Sequence, residues 1–188
     1  MTIRLALVSL ATSVLVIGCA GPVGSQEDAR AGWTRTNSVL ESGNSAAQAG
    51  GATAPTEDPV FRAGTPVSVN FEYGCPGAGT ISYIGNYYID TVGATNVEFN
   101  YEAEFKKCTD GNGLTIDGTI DYAMSVETSD TGSSVVYSYD GELTWDGDVQ
   151  GSCEISMSAS VTTTTTSASV SYSGSICGYD AAATLNVG

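Results

Sequence analysis

The stretch Leu114-Thr115-Ile116-Asp117-Gly118-Thr119-Ile120-Asp121-Tyr122-Ala123-Met124-Ser125-Val126-Glu127 decides the fold. Its large apolar residues recur at every second position, with Thr115, Asp117, Thr119, Asp121 and Glu127 between them. A period of two sends successive side chains to opposite faces, so this is a strand with one buried and one wet face, the antiparallel signature. The same pattern runs through Val97-Glu98-Phe99-Asn100-Tyr101-Glu102-Ala103-Glu104-Phe105, then through Val135 to Trp145, Val149 to Val161 and Ala168 to Ile176. The Asp117-Gly118 and Asp140-Gly141 pairs resemble hairpin turns, but the alternation passes through both without changing phase, so both belong inside strands.

Gly118, Gly141, Gly151 and Gly174 then fall on the apolar face in mid-strand, where glycine permits strong bending. The expected fold is all-β. It is an antiparallel meander of seven long strands, near 67–74, 79–89, 95–107, 113–127, 134–146, 149–161 and 168–177, curled into a small barrel or a curved sandwich.

Strands that alternate up and down bring Cys75, Cys108, Cys153 and Cys177 to one pole of such a sheet. Bridging needs Cα atoms within about 7 Å, so this placement is compatible with two disulfides. It favours Cys75–Cys108 and Cys153–Cys177 over the other two pairings, since a turn within Thr162–Thr166 sets Cys153 almost opposite Cys177.

The N-terminal third reads differently. Arg4 precedes an apolar run from Leu5 to Gly18, too short for a bilayer span of about 20 residues and suited to a signal-peptide core. The run ends in Val16-Ile17-Gly18-Cys19. This ending resembles the lipobox of bacterial lipoproteins, over the first 19 residues only. The resemblance implies cleavage of residues 1–18, lipidation of Cys19 and anchoring to a membrane of the cell envelope. Ala20 in place of Asp resembles outer-membrane sorting. An even set of four further cysteines suits the oxidising compartment that export implies.

Residues 19–66 read as the lipidated N-terminus and a flexible tether rich in Gly, Ala, Ser and Thr, with 67–188 as the acidic β domain. No stable helix is expected in the tether, Ser38–Ala49 included, and Trp33 between Arg30 and Arg35 is expected to be solvated. The tether enters opposite the cysteine pole, so that pole is expected to point away from the membrane.

Charge and composition narrow the function. The 188 residues hold 6 Lys and Arg against 21 Asp and Glu, a formal net charge of −15, so no basic stripe exists for nucleic acid or for an anionic lipid surface. The chain has no histidine, which removes Ser-His-Asp and Cys-His catalysis and His-ligated zinc.

Asp110, Asn112, Asp146, Asp148 and Asp180 gather near the cysteine pole and are candidate calcium ligands, but the spacing is not an EF-hand and acidic turn residues are the plainer reading. No cofactor is expected. Glu98, Glu102, Glu104, Asp117 and Asp121 allow carboxylate pairs at glycosidase distances, and equally describe a hydrated sheet face. Tyr101, Tyr122, Tyr137, Tyr139 and Tyr172 fall on the inner face, either as core filler or as walls of a ligand cavity.

The expected function is that of a non-catalytic envelope lipoprotein with a structural or binding β domain and an unidentified partner. A carrier or sensor of an apolar ligand is the alternative, and a carboxylate hydrolase a third reading.

Overall fold

The structure is a computed structural model and describes residues 21–46, 66–90 and 95–185. The signal peptide, Cys19 and residues 47–65 of the expected tether lie outside the described residues. Strands β1 (Val67–Gly74), β2 (Thr80–Asp90), β3 (Thr95–Thr109), β4 (Leu114–Ser129), β5 (Gly132–Gly147), β6 (Gly151–Thr164), β7 (Ala168–Ile176) and β8 (Tyr179–Asp180) form one antiparallel sheet. Each strand pairs with its neighbours in sequence, in the order β1 to β8. The meander and its long strands are as the alternation predicts, with the short β8 added at the end. The β6–β7 turn lies slightly later than expected, because the ladder holds from Ile155↔Ile176 to Thr163↔Ala168.

The mid-strand glycine Gly118 stands where another residue would not fit. Gly118 has φ +123°, and a Cβ there would strike the Glu142 carbonyl oxygen. It lies opposite Phe105, where the register of β3 slips between Phe105 and Cys108. That slip is a β-bulge, which sharpens twist and bend. Its backbone is satisfied locally, since Lys107 N–H donates to Asp117 Oδ1 at 2.7 Å while Lys107 takes φ +47°.

The sheet does not close. The described β1 pairs only with β2, and a helix supplies the second layer that the apolar face needs. This helix, α1 (Gln26–Ala46), occupies much of the segment read as a flexible tether, and it is the main correction to that reading. Its N-terminus is capped by Ser25, whose Oγ accepts from Asp28 N–H at 3.1 Å and donates to Asp28 Oδ2 at 2.7 Å. Such a reciprocal cap satisfies donors that a helix start leaves open.

Ala29, Trp33, Thr36, Val39 and Leu40 face the sheet and are buried, so Trp33 is core and not solvated. The helix seats closely because it carries glycine where the sheet is bulkiest. A Cβ at Gly32 would lie 2.5 Å from the Trp145 ring. Trp145 Nε1 donates to Thr36 Oγ1 at 3.1 Å, and Thr36 Oγ1 donates to the Gly32 carbonyl at 2.9 Å, which leaves this buried polar group satisfied.

Dimensions explain how far the cover extends. Leu40 and Gly43 meet Tyr83 on β2, Gly32 meets Trp145 on β5, and Val23 just ahead of the helix pairs with β6. The helix therefore runs across the strands. Its 21 residues span about 32 Å, close to the width of the sheet at about 4.8 Å per strand. The 16 residues of β5 span about 50 Å, far more than one helix diameter. Only the half of the sheet near the cysteines is sealed, and full burial along β5 is confined to Leu143 and Trp145. Beyond, Phe99, Met124, Val126, Val135 and Tyr137 are half-buried, and Val170 is exposed.

At the sealed end Cys75 bonds Cys108 (Cα–Cα 5.5 Å) and Cys153 bonds Cys177 (4.3 Å), the favoured pairing. Each closed loop contributes about 2–4 kcal/mol. The short helix α2 (Ala181–Leu185) is capped by Asp180 and packs beside α1, where Gln26 Nε2 donates to Thr184 Oγ1 at 3.3 Å.

Candidate functional site

The acidic turns at the cysteine pole converge, but on an arginine. Arg35 reaches from α1 between the β3–β4 and β5–β6 turns. Its Nε meets Asp110 Oδ2 at 2.6 Å, Nη1 meets Asp148 Oδ2 at 3.2 Å, and Nη2 donates to the Asn112 carbonyl at 2.7 Å. Three of the five candidate calcium ligands are thus brought together and held by a guanidinium. Asp180 is occupied at the start of α2, where its Oδ1 accepts from Ala183 N–H at 2.8 Å. Asp146 is exposed at the end of β5, opposite Thr115. Among the described residues no three acidic or cysteine side chains are grouped to hold a metal ion.

Asp110 is the hub of this cluster. Its Oδ1 accepts from the Asn112 and Leu114 amides at 2.8 and 3.1 Å. Burial works against its ionisation, yet the Arg35 guanidinium and these two amides outweigh it and hold the carboxyl below the usual carboxylate range. A lowered folded-state pKa adds stability above the unfolded pKa of about 3.9, and this is lost as the pH falls through the folded value. Asp110→Asn is therefore expected to cost about 1 kcal/mol near pH 7, discounted for solvent access to Arg35. In urea unfolding at a series of pH values, the difference from the parent should shrink below about pH 4. A pH-independent difference would show that the charge pair is not what Asp110 contributes. A cleft of about 300 Å3 opens beside the cluster, lined by Arg35, Ser38, Val39, Ser42, Pro76, Asp110 and Asn112.

The two sheet faces differ sharply. On the outer face Glu102, Asp121 and Asp140 lie directly opposite one another across β3, β4 and β5. All three are exposed, in a shallow groove of about 410 Å3 shared with Ile84 and Asn100. Like charges at adjacent cross-strand positions oppose pairing, and none of the groove's lining residues is a cation.

The inner face carries a chain of aromatic rings along the border of the helix. Phe71 and Tyr83 have centroids 4.6 Å apart, Tyr83 and Tyr101 5.3 Å, Tyr101 and Tyr122 4.6 Å, Tyr122 and Tyr139 5.1 Å, and Tyr139 meets Trp33 edge-on at 4.9 Å. Such contacts contribute about 0.5–1.5 kcal/mol each beyond area burial. Burial, and then neighbouring phenols, push the Tyr83, Tyr122 and Tyr139 hydroxyls well above their ordinary pKa. Tyr137 joins the edge of this chain 6.2 Å from Tyr122, and Tyr172 packs against the core from β7. Sequence alone does not single out Arg35, because α1 has the composition of a linker and gives no sign of the turns it faces.

No protein family, curated protein or solved structure matches this chain.

Proposed function

We propose that the chain is an exported lipoprotein of the bacterial envelope, held by acyl chains on Cys19, with a β domain that works by binding or by its structure and not by catalysis. The observation that carries this reading is the cysteine pairing. Four of five cysteines are consumed within the domain, and the fifth, Cys19, closes the apolar run Leu5–Gly18. Ala20 supports placement at the outer membrane. Against a carrier role, Trp33, Trp145 and Tyr83 fill the space beneath α1 where an enclosed apolar ligand would lie. Against a hydrolase role, Glu102, Asp121 and Asp140 are exposed on an open face with no cation lining the groove to orient a substrate.

Metabolic labelling with a fatty-acid probe should mark the parent protein in the membrane fraction, and Cys19→Ala should abolish the label and release the protein. One myristoyl chain alone binds reversibly, so stable retention requires more than one acyl chain. An unmodified Cys19 in the mass spectrum of membrane-bound protein would overturn the anchor.

A further inference from the structure

We infer that the anchor holds the domain flush against the bilayer with the disulfide pole facing the membrane, reversing the orientation that a long tether suggests. This rests on the lipidation of Cys19 proposed above. Residues Gly21 to Val23 are already part of the fold. Ser152 N–H donates to the Gly21 carbonyl at 2.8 Å, and Val23 N–H donates to the Ser152 carbonyl at 3.2 Å. Pro22 thereby forms a parallel bridge with Ser152, on the length of β6 that extends past the end of β7. Gly151 makes room for it, since a Cβ there would lie 2.8 Å from both Gly21 O and Val23 N.

Cys19 precedes Gly21 by two residues, and two extended residues reach at most about 7 Å. The acyl chains must therefore leave the molecule beside the start of β6, one residue pair from the Cys153–Cys177 bridge. Downstream there is no slack, because the Ser25 cap and α1 carry the chain back over the sheet.

The consequence is a fixed presentation. The β1–β2, β3–β4 and β5–β6 turns lie toward the headgroups, while the turn at 165–167 and the uncovered apolar half-sheet stand away from them, about 50 Å off along strands this long. Charge does not draw the pole to the membrane. Asp110 and Asp148 are tied to Arg35, and Asp146 and Asp180 are exposed. The partner surface is thus a lipid headgroup layer reached through the anchor, zwitterionic lipid sufficing.

The test uses the full-length lipidated protein in phosphatidylcholine vesicles that contain an acceptor-labelled lipid. The native cysteines are acylated or bridged, so Gln150→Cys near the anchor and Thr165→Cys at the opposite end each provide one thiol for a donor dye; both positions are exposed. Loss of most donor emission from position 150 and little loss from position 165 is the expected result. Inserting ten Gly/Ser residues between Ala20 and Gly21, with an r.m.s. reach of roughly 17 Å, should restore much of the emission at position 150. Equal, weak transfer from both positions in protein whose Cys19 is acylated would overturn the orientation and leave the anchor standing. The reverse ranking would overturn it too. Cys19 found unmodified would overturn the anchor itself, and the orientation with it.

Discussion

A chain from which residues 21–46 are deleted will lose the cooperative unfolding transition of the parent. If the segment were a spacer, its removal would leave stability unchanged. In this structure it buries Val23, Trp33, Val39 and Leu40, and it packs on Tyr83, Tyr139 and Trp145 of the sheet. Burial of each large side chain contributes about 1.5–3 kcal/mol, and the helix removes both its own and the sheet's apolar surface from water. The sum is comparable to the whole stability of an ordinary domain, about 5–15 kcal/mol. The truncated domain, its disulfides intact, should show weak near-ultraviolet circular dichroism and a broad thermal transition. A sharp transition at the parent's temperature would mean that α1 contributes little to the fold.

Trp145→Ala carries the second large effect, about 3–5 kcal/mol by urea denaturation. The indole is 1% exposed, lies against Gly32 and donates to Thr36. Alanine leaves a cavity between helix and sheet, and it also leaves the Thr36 hydroxyl without one of its partners. Collapse into the void is hindered, because Thr36 is held by its bond to Gly32 and β5 is held in the ladder between β4 and β6. Trp145→Phe keeps most of the volume and loses the hydrogen bond, so its smaller cost, about 1–2 kcal/mol, separates packing from polarity. Equal losses for both variants would contradict the cavity account.

The strands were legible because alternation is a local signal repeated over many residues. Val97 to Phe105 and Leu114 to Val126 declare their faces without reference to anything else in the chain. Topology gathers the four cysteines at one pole without choosing among their pairings, and it is the near register of Cys153 with Cys177 across the last hairpin that favours the pairing observed. The helix was not read, for a physical reason. Its buried positions Ala29, Gly32, Trp33, Thr36, Val39, Leu40 and Gly43 keep a helical spacing, but only Trp33, Val39 and Leu40 among them are large and apolar. The sheet supplies the bulk, through Trp145 and Tyr83, so the helix must be slim where it crosses them. Small residues that fit a crowded surface look like a linker when that surface is not yet known. Two cues were present: Ser25 followed at three residues by Asp28, and acids in the first turn.

The Arg35 cluster was half legible. Convergence of Asp110, Asn112 and Asp148 follows from the strand ends, whereas the cation that gathers them comes from α1, whose composition is that of a linker. The sheet stays open as a barrel would not, because over its cysteine end α1 supplies the second layer that closure would otherwise provide.

The order of assembly is set by the distance between Trp33 and its seat. The helix is made first, yet Trp145 follows Trp33 by more than a hundred residues, and Gly21 to Val23 find their place only when Ser152 exists. At about 5–20 residues per second, synthesis leaves the helix without a docking surface for on the order of ten seconds. Its slim, weakly greasy composition suits that wait, because a segment with few large apolar groups offers little for other chains to adhere to before its own strands arrive.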